Sequence, residues 1–550
     1  MNKTNNIFLL GNYRKTLKGL LDKSVSSVTI PNSVTEIEGS VFWFCDNLTS
    51  VVLPDKLQII GNWSFCGCTV LTTLNLPETV TTIGGGAFSG CKGLTSLSLP
   101  KFLMNIGYHA FGDCTGLTSL SIPDSVTEIG DGAFRGCSSL TSINLPKRMK
   151  SIGDSLFSGC SGLTSFKFPR GVKRIGKNAF YGCSALTSLK IPEGVVSIED
   201  GAFEGCSGLT SLILPKSLKS IGYGAFSDCT QLTSIIIPED IALISDQAFS
   251  GCSNLKSVDI PENVTAICRM AFSACESLTS LTIPDNVTVI HERAFENCSH
   301  LKIISFGNGI KAIGKDAFGG CSNLEKVVIT DISAWCRINF GGVDSNPTCL
   351  SGRIYDKAGL EITDLTIPSD VTIIRRYAFR NCLGLSSLTI SEGVQSIEAL
   401  AFNGCGFTSA IIPDSVTEIG DGSFSNCRSL TSINIPKKIT QIKSHVFENC
   451  SKIVSVEIAN NVTNIGNYAF YGCLDLSNIN ISQKLKYIGI HSFAGCKKLQ
   501  VIGFPNNITE IHRTAFKGCT SLRKVMFPKD KESLAKGFEE YFENCTIELV

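Results

Sequence analysis

Apolar and polar positions alternate along this chain in one short phrase that keeps returning. From Asp124 to Pro146 it reads DSVTEIGDGAFRGCSSLTSINLP, and from Asp414 to Pro436 it returns as DSVTEIGDGSFSNCRSLTSINIP. In L-T-S-L-x-I the apolar residues alternate with outward ones, the period of a strand buried on one face. Proline then stops the strand, because it has no N–H to give a ladder. V-T-x-I-G supplies a second apolar pair, Val126 and Ile129, from the opposite wall, and Gly130 permits a backbone turn that a side chain would hinder. A-F-x-x-C sets Phe134 and Cys137 three residues apart, which predicts a single helical turn with one inward face.

The phrase has a fixed period. Cysteines step by 23 residues from Cys45 to Cys321 and resume from Cys382 to Cys519 with one 22-residue step. Phenylalanine stands three residues before each of them, from Phe42 to Phe516. A period in this range signals a solenoid, in which no unit can bury its apolar face alone and stacking builds one continuous core. The expected fold is therefore a solenoid, a β-dominated right-handed coil. It carries one short parallel strand per repeat of about 23 residues, short helical turns, about 22 coils and helical caps, all in one elongated domain. Phe134, Cys137, Leu140, Phe157, Cys160, Phe180 and Cys183 are assigned to the core. Residues 1–24, with Leu17, Leu20 and Leu21 among basic residues, read as an amphipathic N-terminal cap. Residues 25–330 form a first array, 331–361 an insertion or lengthened coil, and 362–528 a second array. Residues 529–550 read as a C-terminal helical cap with Phe538, Tyr541 and Phe542 near one face. Trp335, inside the insertion, is either a binding anchor or an inward-packed ring, and the resumed register favours packing.

Composition narrows the function. With 49 Lys+Arg against 48 Asp+Glu, the chain lacks the cation surplus that binding a polyanion requires, so nucleic acid is not an expected partner. No apolar run is long enough for a membrane span, and Ile7–Leu10 is too short for a signal-peptide core. Of the 25 cysteines, those in register are read as small buried hydrophobes, because a uniform ladder offers no paired disulfide geometry. Cys66, Cys268, Cys336, Cys349 and Cys545 fall outside it, and Cys336 and Cys349 can pair if the chain is exported. Neither zinc spacing nor a catalytic motif occurs, so no metal, cofactor or catalytic residue is assigned. The six histidines lie in different coils, and the carboxylates read as solvated turn residues.

The phrase I-P-x-x-V-T-x-I-G-x-x-A-F-x-G-C-x-x-L-T-S-L resembles the BspA-like (Treponema pallidum-type) leucine-rich repeats over about residues 25–528, and the insertion with Ala334-Trp335-Cys336 and Ser345-Asn346-Pro347 is similar to a variant unit of that family. The resemblance implies a leucine-rich-repeat solenoid and a surface or secreted protein of adhesion type, binding host or neighbouring-cell proteins or glycans. No leader or anchor is recognisable in the sequence, which keeps a cytoplasmic protein–protein scaffold as the alternative.

The sheet face is where specificity can be written. Its serine column is nearly constant (Ser165, Ser188, Ser211, Ser234), while the next outward column varies through Lys167, Lys190, Ile213, Ile236 and Asp259. Variation inside a fixed frame marks these five as the candidate ligand-binding residues, for a protein or glycan surface. The alternative for Ile213 and Ile236 is simple strand propensity. Residues 147–190 also hold nine Lys/Arg against Asp154 alone, a basic band that either steers an acidic partner or is ordinary solvated turn.

Overall fold

The computed structural model describes residues 7–539 and 545–550. The chain is a β-solenoid of about 23 turns with parallel strands and few helices. It divides into two compact units, Met1–Thr279 with Ala294–Ser299, and Ser280–Arg293 with His300–Val550.

Two walls of each coil are strands in strict repeat register. On the first, Ser119–Ser121 lies parallel to Ser142–Asn144, with Ser119 opposite Ser142 and Leu120 opposite Ile143. The exposed–buried–exposed pattern of these strands is what the L-T-S-L-x-I alternation requires. On the second wall the strands are only two residues long, as in the four-stranded parallel run of Ser151–Ile152, Arg174–Ile175, Ser197–Ile198 and Ser220–Ile221. Each proline opens the turn between the walls, its carbonyl accepting the N–H three residues on, as in Val126 to Pro123 at 3.1 Å. Gly130 is required for a different reason from the expected turn: a Cβ there would stand 2.3 Å from the Tyr108 backbone nitrogen. It lets the next coil come close.

The A-F-x-x-C segment is not a helical turn. Between Gly130 and Cys137 alternate N–H groups go to different places. Those of Ala133, Arg135 and Cys137 bond back three residues, while those of Gly132, Phe134 and Gly136 reach Asp154, Leu156 and Ser158 of the next coil. Gly132 (φ 63°) and Gly136 (φ 72°) are left-handed, which breaks any helix. The same first position is left-handed in other coils although it holds Trp63, His109 or Gln247. Residues that carry a Cβ hide this requirement from a reading of the sequence.

Inside the coils the phenylalanines form a continuous stack from Phe42 to Phe295, and a second from Phe379 to Phe516. Phe134 lies 5.6 Å from Phe111 and 5.8 Å from Phe157, with rings nearly parallel. Phe134, Cys137, Leu140, Phe157, Cys160, Phe180 and Cys183 are all fully buried.

The cysteines are more than small hydrophobes. From Cys68 to Cys298 and again from Cys405 to Cys519, each thiol in the 23-residue register donates to the carbonyl of a phenylalanine in the preceding coil at 3.0–3.4 Å. Cys137 reaches Phe111 in this way at 3.1 Å. Burial drives the Cys137 and Cys206 thiols up to about 12.

The ends differ from one another. The N-terminal residues, expected as part of a helical cap, form an antiparallel hairpin of Phe8–Gly11 and Thr16–Leu20. Its second strand pairs in parallel with Glu36–Ile37, so the first coil's backbone groups are met by a strand rather than a helix. Leu17 and Leu20 are buried while Leu21 is exposed. At the C-terminal end a helix spans Glu532–Glu539 with Phe538 buried, and Thr546–Leu549 then adds a parallel strand to Lys524–Phe527. Tyr541 and Phe542 lie outside the described residues, as do residues 1–6.

The insertion lies in the second unit and makes a coil of its own. Asn339–Phe340 pairs with Ala312–Ile313, and Ile354 and Tyr355 pair with Val327 and Val328. Its side chains take over the ladder to the following coil: Trp335 Nε1 donates to Ala378 O at 2.7 Å, Asn346 Nδ2 to Tyr377 O at 2.7 Å, and Thr348 Oγ1 to Arg380 O at 3.2 Å. Trp335 is 2% exposed. It is a packing residue, and a binding anchor is ruled out by its burial.

Candidate recognition surface

The strands of the first wall place one side chain per coil outward at the variable column. Lys190 sits directly opposite Ile213, and Ile236 opposite Asp259. Lys167 occupies the equivalent position of the preceding coil, and like Lys190 and Asp259 it is exposed. Ile213 is 54% exposed and Ile236 77%. The serine column runs beside them, with Ser188 opposite Ser211 and Ser234 opposite Ser257. All five candidates therefore stand in one row on one face of the first unit. Some of the threonines that precede these serines are engaged with the neighbouring coil, as Thr141 Oγ1 bonds Thr118 O at 3.1 Å and Thr210 Oγ1 bonds Thr187 O at 3.0 Å.

Part of the basic band is paired with acids. Lys147 pairs with Asp124 at 3.2 Å, Arg174 with Asp154 at 2.8 Å and Glu199 at 3.3 Å, and Lys177 with Asp200 at 3.0 Å. These acids belong to neighbouring coils, so stacking pairs three cations of a run that is unbalanced along the sequence. Lys167 and Lys190 make no ion pair among the described residues and keep their charge for the sheet face.

Several carboxylates, while exposed to solvent, also bond the next coil. Asp131 accepts the N–H of Asp154, Asp154 that of Lys177, Asp200 that of Tyr223 and Asp246 that of Arg269, at 2.8–3.0 Å. After the prolines, Asp124 caps Lys147 N–H and Asp414 caps Lys437 N–H. The lysine N–H and ammonium hold both carboxyls below the ordinary carboxylate range. Tabulating residues by coil position would have exposed this, because aspartate recurs just after Ile-Gly and just after proline.

No group of three or more His, Cys, Asp or Glu able to hold a metal occurs among the described residues. The structure pairs neither Cys336 nor Cys349; the first is buried, and the second accepts a contact from Arg380 Nη1 at 3.8 Å. His445 contacts Glu448 at 2.9 Å, and its ring stacks on Tyr468 at 5.0 Å, with His491 on the other side at 5.2 Å.

The repeat geometry agrees with a family comparison. The model of the BspA type leucine rich repeat region (6 copies) matches residues 21–140, 104–233, 219–337, 355–477 and 417–548. The chain belongs to the BspA-type leucine-rich repeat family. Repeats of this family are typically non-enzymatic binding scaffolds, and this chain is a repeat scaffold of the kind that binds proteins or other ligands. No helix among the described residues is long and apolar enough to cross a membrane. Among solved structures it is similar to a leucine-rich repeat protein from Bacteroides ovatus, at 23% identity over 99% of this chain and 97% of that one, with a TM-score of 0.33. It is also similar to the T. pallidum leucine-rich repeat protein, at 28% identity over 42% of this chain and 91% of that one, with a TM-score of 0.28. A third, from Eubacterium ventriosum, matches at 23% identity over 61% and 89%, with a TM-score of 0.40. No curated protein matches.

Proposed function

We propose that this BspA-type protein is a non-enzymatic recognition protein of adhesin type, which engages a protein or glycan surface of a host or neighbouring cell through the row Lys167, Lys190, Ile213, Ile236 and Asp259. The observation that carries the reading is the exposure of isoleucines on two successive coils, 54% and 77%, in a column that also presents Lys190 and Asp259. An apolar centre with charged flanks is the anatomy of a recognition patch: the aliphatic groups gain by desolvation, and the lysines and Asp259 orient the partner.

Covering Ile213 and Ile236 contributes about 1–2 kcal/mol each. A screen against matrix proteins and glycans tests the reading, with Ile213→Asp/Ile236→Asp as the control. The double variant is expected to bind the partner at least about thirtyfold more weakly, and equal binding would refute the assignment of the row. Protease shaving of intact cells tests the adhesin part. Protein protected inside the cytosol would instead favour a protein–protein scaffold.

A further inference from the structure

The second unit carries a groove of about 680 Å³ lined in part by Ile412, Asn434, Glu457 and Asn480. In several coils the last apolar N–H of the first-wall strand bonds a main-chain carbonyl of the next coil, as Ile191 does to Ile213 at 3.1 Å and Ile458 to Asn480 at 3.2 Å. At Ile412 a side chain intervenes. Ile412 N–H donates to Asn434 Oδ1 at 2.9 Å, and Asn434 Nδ2 donates to Ile412 O at 2.6 Å. The sheet ends there: Ser432–Ile433 is the last strand of a run of four, and Ser455–Glu457 pairs only with Asn478–Asn480. In the next two coils Ala459 and Ser482 stand where proline closes most strands, so no pyrrolidine ring fills the corner. The groove lies in the space this leaves.

Its lining is polar in a particular way. Glu457 and Asn480 are exposed and directly opposite one another on adjacent strands, and Asn460 stands exposed on the turn beside them. Asp414 at the rim is already held by Lys437, through its N–H and its ammonium, both at 3.1 Å. The isoleucines beneath, Ile412, Ile435 and Ile458, are buried and give an apolar ligand no wall. A carboxylate accepts only, while an amide both donates and accepts. Hydroxyl groups, which do both, satisfy such a set, and the volume is that of a small-ligand pocket.

We propose that this groove is a binding site for an uncharged saccharide, held by hydroxyl contacts to Glu457, Asn480 and Asn460. The site is separate from the row on the first unit, and its test separates the two. A neutral glycan array probed with the full chain, followed by calorimetric titration of the strongest hit, is expected to show binding. Glu457→Ala and Asn480→Ala, both at exposed positions, are each expected to weaken it about tenfold. Circular dichroism of the variants checks that the coils remain folded. Unchanged affinity in Ile213→Asp/Ile236→Asp supports the assignment to the second unit. The proposal is overturned if no neutral glycan binds, if folded Glu457→Ala and Asn480→Ala bind as well as the parent, if Ile213→Asp/Ile236→Asp abolishes binding, or if a lysine tripeptide is preferred over every neutral glycan.

Discussion

Raising the pH should loosen this solenoid through its thiols. Cys68, Cys137, Cys206, Cys252 and Cys382 are pushed up to about 12 by burial, from an ordinary value of 9.0. The sign follows from which state keeps its proton. Below about pH 9 the thiol is protonated folded or unfolded, and its contribution is fully present. Above it the unfolded chain releases the proton while the folded one holds it, so stability falls until the folded thiol titrates too. At pH 10 the loss is about 1.4 kcal/mol per buried thiol. Because repeat arrays can open coil by coil, it acts on each coil separately. Lysines and tyrosines also titrate in this range, so the discriminating measurement is a difference. Cys206→Ser retains a donor for the Phe180 carbonyl, which Cys206 meets at 3.2 Å, but has no proton to lose at pH 10. Urea denaturation under reducing conditions, followed by circular dichroism at pH 8 and pH 10, should show the parent losing about 1.4 kcal/mol more than the variant over that interval. Identical pH slopes would refute the reasoning, as would a loss of thiolate ultraviolet absorbance in folded Cys206→Ser relative to the folded parent at pH 9.

Three further outcomes follow from particular contacts. Phe180→Ala, removing a fully buried ring stacked 5.4 Å from Phe157 and 5.1 Å from Phe203, should destabilise by about 3–5 kcal/mol in denaturant titration; a change under about 1 would contradict its place in the core. Trp335→Phe keeps an aromatic ring but loses the donor to Ala378 O, and should destabilise by about 1–3 kcal/mol, with faster amide exchange across residues 373–382 as the local readout. Asp124 and Asp414 carry depressed pKa values, so their contribution is present above the ordinary carboxylate range and fades as pH falls through it. The urea midpoints of Asp124→Asn/Asp414→Asn and the parent should therefore differ at pH 6, and the gap should narrow as pH falls below the ordinary carboxylate value of 3.8; a gap of the same size at every pH would contradict the assignment.

What the sequence by itself determined is the coil. A 23-residue period with alternating apolar residues can bury its Phe, Cys and Leu only by stacking, and this follows from side-chain direction alone, which is local. The row Lys167 to Asp259 was legible for the same reason, because outward columns in a strict register must align. Only the tertiary structure decided which atom of the next coil each polar group meets. The thiol of Cys137 reads as a small hydrophobe until the neighbouring Phe111 carbonyl is in place, and Asp131 reads as solvated until the N–H of Asp154 stands opposite it. The turn before each cysteine looked helical because Trp63, His109 and Gln247 do not announce a left-handed backbone as glycine would. The N-terminal hairpin and the groove at Asn434 share that cause: both depend on what lies one coil away, and a distance across coils is not written in spacing along the chain.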